Sequence, residues 1–213
     1  MEFATKGRPI RLGILLSGRG SNFIAIANSI REGSLPGIEI AVAISNVANT
    51  GGLKAAADIG LPHQLFISKG RSRADHDADV INCLHSHNVD LVCLAGYMRL
   101  LTPEFIAAFP DRIINIHPSL LPGFPGLEAQ HQAFDYGVKI AGCTVHFVDE
   151  HLDHGVIILQ RAIPVLDSDD VQSLSGRILI EEHLAYAEAI ARVTSGDYEI
   201  RGRRFVRRNP TPA

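Results

Sequence analysis

The segment Asn115-Ile116-His117-Pro118 sets an amide and an imidazole two residues apart. On an extended chain such positions project from the same side, so both groups face one ligand. An amide donor stabilises an oxygen that gathers negative charge, and an imidazole moves protons near neutral pH. Together they suit acyl transfer through a tetrahedral oxyanion. Asp149, Glu150 and Asp153 supply carboxylates further along, any of which is able to orient His117. By residue type alone the rival reading stands beside this one: a strand-end histidine satisfied by main chain, and loop acids that are only solvated.

Ser17-Gly18-Arg19-Gly20-Ser21-Asn22 is the second candidate. Glycines before a helix let a phosphate approach the free N–H groups of the first turn. Phe23 stands where a dinucleotide fingerprint needs its third glycine, and the lysine of a Walker loop is absent, so a bare phosphate is favoured over NAD or ATP. A plain connecting turn is an equal alternative at this point. His146, His151 and His154 invite a metal reading, but one lies in a strand and two in a loop, without a helical H-E-x-x-H; no metal is expected. His76, His85 and His87 fall on the exposed side or at the end of a helix and carry no role. Ser119 follows His117-Pro118 outside any G-x-S-x-G elbow, which speaks against serine hydrolase chemistry.

The elements that must position these groups alternate. Strands are expected at Ile10 to Leu16, Ile38 to Ser45, His63 to Phe66, Leu91 to Ala95 and Ile113 to Ile116. Helices are expected at about Asn22 to Arg31, Gly52 to Ile59, Arg73 to His87 and, capped by Thr102 with Pro103 behind it, as far as Phe109. This alternation predicts an α/β fold, a doubly wound and mostly parallel sheet. Pro118, Pro122, Gly123, Pro125 and Gly126 then make a long loop of the functional kind. Glu128 to Tyr136 reads as a helix. Ala141 to Val148 and Val156 to Val165 read as an antiparallel C-terminal extension joined by Asp149 to Gly155, Val171 to Thr194 as a closing helix, and Tyr198 to Val206 as an edge strand.

The chain has 213 residues, 46% of them hydrophobic, and is read as a single domain, 1–213. No run approaches the ~18 apolar residues of a membrane span. Cys83, Cys93 and Cys143 are unpaired in pattern, which fits reduced thiols in the cytoplasm. A formal net charge of −3 gives no global attraction to nucleic acid, and the terminal cluster of Arg201, Arg203, Arg204, Arg207 and Arg208 reads as a solvated basic edge.

Taken together, GILLSGRGSN near the start, LAGYMRLL at 94–101, INIHPSLLP at 114–122 and GCTVHFVDEHLDHGVII at 142–158 resemble the phosphoribosylglycinamide formyltransferase family. The resemblance runs from Ile10 to about Thr194. It implies a formyltransferase-like fold and direct transfer of the formyl group of 10-formyltetrahydrofolate, a co-substrate, to the amine of glycinamide ribonucleotide in de novo purine biosynthesis. It implies a catalytic trio of Asn115, His117 and Asp153, and a phosphate and ribose set of Gly20, Ser21, Asn22 and Glu182. It implies a folate set of Arg73, Met98, Arg99, Leu100, Leu101, Val148, Asp149, Glu150, His151 and Leu152, with phosphate contact as a second reading of Arg73. About 10–120 would then be the phosphate-binding parallel half and about 121–206 the folate-binding half with the closing helix. The partners implied are small-molecule substrates, without nucleic acid or membrane, in a monomer or homodimer. One departure is His154, where the family carries a small residue between the aspartate and the glycine. Methionyl-tRNA formyltransferase and formyltetrahydrofolate deformylase resemble the same core, and chain length separates them, since 19 residues follow Thr194 and nine precede Ile10. A non-catalytic phosphometabolite-binding domain is the alternative from another class.

Overall fold

The computed structural model describes residues 7–208. Its centre is β1 (Ile10–Leu16), an apolar run buried on both faces from Leu12 onward, as a strand covered by helices on two sides must be. β1 pairs in parallel with β2 (Ile38–Ser45) on one side and with β4 (Leu91–Leu94) on the other. β3 (His63–Leu65) adds to β2, and β5 (Ile113–His117) adds to β4, both in parallel. β6 (Ile140–Phe147) and β7 (Ile157–Pro164) then continue the sheet antiparallel, giving the order β3-β2-β1-β4-β5-β6-β7. The expected doubly wound sheet with an antiparallel extension is what the chain forms.

Side-chain alternation sends β1 into two cores. Leu12, Ile14 and Leu16 pack with Phe23 and Ile26 of α1 (Ser21–Arg31) and with Leu174, Ile178 and Tyr186 of α6 (Val171–Thr194). Leu15 packs on the opposite face with Val80 and Leu84 of α3 (Arg73–Ser86) and Phe105 of α4 (Pro103–Ala108). Two further helices, α2 (Gly51–Asp58) and α5 (Ala129–Tyr136), complete the layers. Strand order reverses between β1 and β4, so their carboxyl ends border a crevice, the usual ligand position of such sheets. Tyr186 fastens α6 beneath that crevice, its hydroxyl donating to Leu94 O at 3.0 Å and to Ile114 O at 3.1 Å.

Two expectations are corrected. The segment Tyr198 to Val206 does not join the sheet as one edge strand; it folds back on itself as β8 (Tyr198–Arg201) and β9 (Arg204–Arg207). Gly202 makes the turn with φ 60°, and Phe205 stacks on Tyr198 while meeting the edge of Phe147 at 5.5 Å. The arginines there pair locally, Arg201 with Glu199 and Arg207 with Asp197. His76 is not on an exposed face: it is fully buried, with Nε2 2.9 Å from Phe66 O. No helix among the described residues is long and apolar enough to cross a membrane.

Candidate functional site

At the end of β1 the chain turns through residues 17–20 into α1, with Gly20 at φ 77° and no side-chain cap on the helix. The left-handed φ favours glycine, and a Cβ at Gly20 would fall 2.5 Å from Gly52 Cα. The N–H groups of the first turn thus have no capping side chain and stand available to an anion. A cavity of about 590 Å³ opens on this turn, walled by residues 18–22 and, from α6, by Gln172, Ser175, Gly176 and Glu182. Its buried polar pair is Asn22 and Glu182, Nδ2 donating to Oε2 at 2.8 Å. Burial pushes the Glu182 carboxyl up, against the lowering effect of the Asn22 bond.

Asn115 and His117 project from β5 towards its carboxyl end. Register with β6 places His146 opposite Asn115 and Thr144 opposite His117. Nδ2 of Asn115 is 3.2 Å from Nε2 of His146, whose Nδ1 lies 2.7 Å from Phe147 O. The second contact requires the proton on Nδ1, so Nε2 accepts from the amide and leaves its other N–H for a ligand. Burial lowers the His146 pKa despite the opposing influence of the Phe147 carbonyl and Asp153, which keeps that acceptor available.

His117 is buried, with Nε2 2.8 Å from Phe124 O and Nδ1 3.4 Å from Oδ2 of Asp153. Both ring nitrogens therefore face acceptors. Oδ2 of Asp153 also accepts from Gly126 N–H at 2.8 Å, and Asp153 itself sits at φ 49°. The loop that supplies Phe124 and Gly126 is held from below: Thr144 Oγ1 donates to Ser119 O at 2.7 Å and accepts from Leu121 N–H at 3.0 Å, and Gln160 Nε2 donates to Leu121 O at 2.9 Å. Ser119 is spent on Gly123 O at 2.6 Å.

Asn115, His117 and Asp153 line a cavity of about 480 Å³ that shares Gly96, Met98, Ile116, Pro118 and Gln130 with the glycine-turn cavity. On its other side it shares Tyr97, Arg99, Leu100, Asn115, Leu152 and Asp153 with a narrower cavity of about 180 Å³. The narrow one is walled by Arg73, Leu101, Val148, Asp149, Glu150 and His151 as well. Met98, Leu100 and Leu152 are exposed at these mouths, an apolar rim of the kind that covers a flat ring. Arg73 belongs to the narrow cavity and is absent from the walls of the glycine-turn cavity. Each cavity draws on residues from before and after position 120. A separate apolar cavity of about 580 Å³ between α1, β2 and α2 contains none of these groups.

Among the residues that sequence reasoning left aside, His146 is the most consequential, since it stood only as a metal candidate. Gln172 and Ser175 do not stand out in the sequence, because a helix position carries no local sign of the cavity it meets. Of the three histidines considered for metal, His146 is turned to Asn115, whereas His151 and His154 gather with Asp149.

Residues 10–190 match the formyl transferase family. The trifunctional purine biosynthetic protein adenosine-3 of Drosophila pseudoobscura pseudoobscura is 44% identical over 87% of this chain, which spans 14% of that protein. The phosphoribosylglycinamide formyltransferase of Haemophilus influenzae is 37% identical over 87% of this chain and 88% of its own length. The crystal structure of glycinamide ribonucleotide transformylase 1 from Symbiobacterium toebii superposes with a TM-score of 0.92 at 48% identity, covering 98% of this chain and 99% of that one.

Proposed function

The chain belongs to the formyl transferase family, and from that premise we propose that it moves the formyl group of 10-formyltetrahydrofolate to the amine of glycinamide ribonucleotide. The observation that carries this reading is the meeting of two cavities at Asn115, His117 and Asp153, one opening on a phosphate-type turn and the other on an apolar rim. The acceptor's phosphate rests on the N–H groups after Gly20, its ribose hydroxyls reach Glu182, and its amine points to the junction. The pterin lies between Met98 to Leu101 and the loop from Val148 to Leu152. Arg73, on the folate side, meets the donor.

The amine attacks the formyl carbon, forming a C–N bond as the carbonyl π pair moves onto oxygen. The free N–H of the Asn115 amide receives that oxyanion, and a protonated His117 joins it by exchanging the Phe124 carbonyl at Nε2 for the oxygen while Nδ1 stays on Asp153. Asp153 holds the imidazolium and, with it, carries the proton lost by the amine to N10 of the folate as the old C–N bond breaks. No covalent enzyme intermediate and no metal enter these steps. Free Cys83, Cys93 and Cys143 support action in a reducing cytoplasm.

The test is a steady-state assay with both substrates and each omitted in turn. Formylated glycinamide ribonucleotide should appear only with both present. Formylation of charged initiator tRNA, or release of formate without an acceptor at a comparable rate, would instead assign the chain to another activity of the family.

A further inference from the structure

Asp149, His151 and His154 gather one carboxylate and two imidazoles on the loop between β6 and β7, with a ligating atom of each within 4.8 Å of the others. Nδ1 of His154 is 2.8 Å from Oδ2 of Asp149, and Nδ1 of His151 is 3.9 Å from Oδ1. The rings stand 5.2 Å apart and tilted by 58°, so they do not stack. We propose that these three side chains bind a borderline divalent transition cation, Zn²⁺ in the first instance, on the loop whose Asp149 and His151 also wall the narrow cavity.

The donor set selects the ion. Two imidazoles and one carboxylate suit Zn²⁺, Co²⁺ or Ni²⁺, whereas Mg²⁺ and Ca²⁺ take oxygen ligands. Three protein ligands leave the remaining positions to water. The backbone is already set: Oδ1 of Asp149 accepts from His151 N–H at 2.9 Å, and Arg203 donates to His154 O at 2.5 Å. Gly155 closes the turn so tightly that a Cβ there would lie 1.7 Å from Phe147 O.

Arg203 is the competing cation. Its Nη1 lies 3.1 Å from Nε2 of His154 and 3.5 Å from Nδ1. Nη1 thus stands over the ring face, while the Nδ1 proton of His154 faces Asp149. Coordination through Nδ1 moves that proton, by way of solvent, to Nε2. The bond to Asp149 gives way to two bonds to the ion, and the Arg203 guanidinium, held in place by the His154 carbonyl, repels the incoming cation. Removing the Arg203 charge therefore favours the metal-bound state, a sign that a non-specific histidine site would not show.

Titration of the full chain with Co²⁺, followed by visible absorbance, and with Zn²⁺, followed by calorimetry, tests the site. A single equivalent should bind. His151→Ala and His154→Ala should each weaken binding by about tenfold or more, and Arg203→Gln should tighten it. Both histidines are exposed, and far-UV circular dichroism checks that each variant folds. Absence of binding at millimolar Zn²⁺, or the same stoichiometry and affinity in the double variant His151→Ala/His154→Ala, would overturn the proposal. These readouts need no formyl donor or acceptor, so the outcome is separate from that of the formylation assay.

Discussion

His146 presents Nε2 to the amide of Asn115 at 3.2 Å while its Nδ1 rests 2.7 Å from Phe147 O. The pair crosses from β6 to β5, and it makes a neutral histidine the fixture that aims a donor. A protonated His146 would carry N–H on both nitrogens and would turn the amide away.

The first prediction follows from that fixture. His146→Ala should lower kcat by about tenfold, the worth of roughly one positioning hydrogen bond, with both KM values little changed. Glycinamide ribonucleotide and folate kinetics measured at neutral pH decide it, and an undiminished kcat would show that Asn115 needs no such support.

A second prediction concerns acid. Burial lowers the folded-state pKa of His146 from its ordinary 6.5, so below that pH the unfolded chain binds more protons than the folded one. The contribution is fully present above the ordinary value and is lost as pH falls from about 6.5 towards the lower folded value. Urea midpoints between pH 7.5 and 5 should therefore decline, and His146→Ala should flatten that decline even though it destabilises at pH 7.5.

The layers of this fold are legible in the chain because the strands and helices declare themselves locally. Ile10 to Leu16 is a run of strand length followed by glycines, and Thr102-Pro103-Glu104 carries its own helix start, with Thr102 Oγ1 accepting from Phe105 N–H as expected. What escapes is whatever depends on register or on distant partners. The pairing of Asn115 with His146 exists only once β6 is set antiparallel to β5. Asn22 meets Glu182 across 160 positions of sequence. His76 looks exposed on a largely polar α3 and is buried because the chain around Phe66 covers it. The hairpin after α6 reads as one extended run until Tyr198 and Phe205 are seen to stack.

At the phosphate end the two obvious substitutions should separate. Gly20→Val places a side chain at φ 77° and against Gly52, so it should cost several kcal/mol of stability, from about 1–2 for the left-handed backbone and about 1–3 for the clash. Thermal unfolding reports it. Asn22→Ala should fold, raise KM for glycinamide ribonucleotide and leave KM for the folate nearly unchanged; equal rises in both would make the turn purely structural.

With the ribose role proposed for it, Glu182 should carry a trade between stability and binding. Its carboxyl is pushed up by burial, so folding of the wild type weakens as pH rises through the ordinary glutamate value of 4.5. Glu182→Gln keeps an acceptor for Asn22 and removes the buried charge. It should raise Tm at pH 7 while weakening acceptor binding, because a neutral amide accepts less strongly from ribose hydroxyls than a carboxylate does. A variant with lower Tm and unchanged acceptor affinity would place Glu182 outside the ribose site.

The trio gives the sharpest test because it separates chemistry from binding. Asn115→Ala, His117→Ala and Asp153→Asn each remove a group proposed to act as charge develops, so each should lower kcat while ligand affinities stay within a small factor. Loss of one oxyanion donor is worth about 3 kcal/mol, on the order of a hundredfold in rate. Asn is the better replacement at 153, since the backbone there has φ 49°, which Asn tolerates and Ala does not. His117 and Asp153 stand 3.4 Å apart and are proposed to act as one unit, so His117→Ala/Asp153→Asn should be little slower than the slower single variant. His154→Ala, on the same loop but outside the cavity walls, should keep most of the wild-type kcat in metal-free buffer. A double variant whose losses multiply, or an Asp153→Asn enzyme that turns over normally, would dissolve the unit and leave His117 without its proton partner.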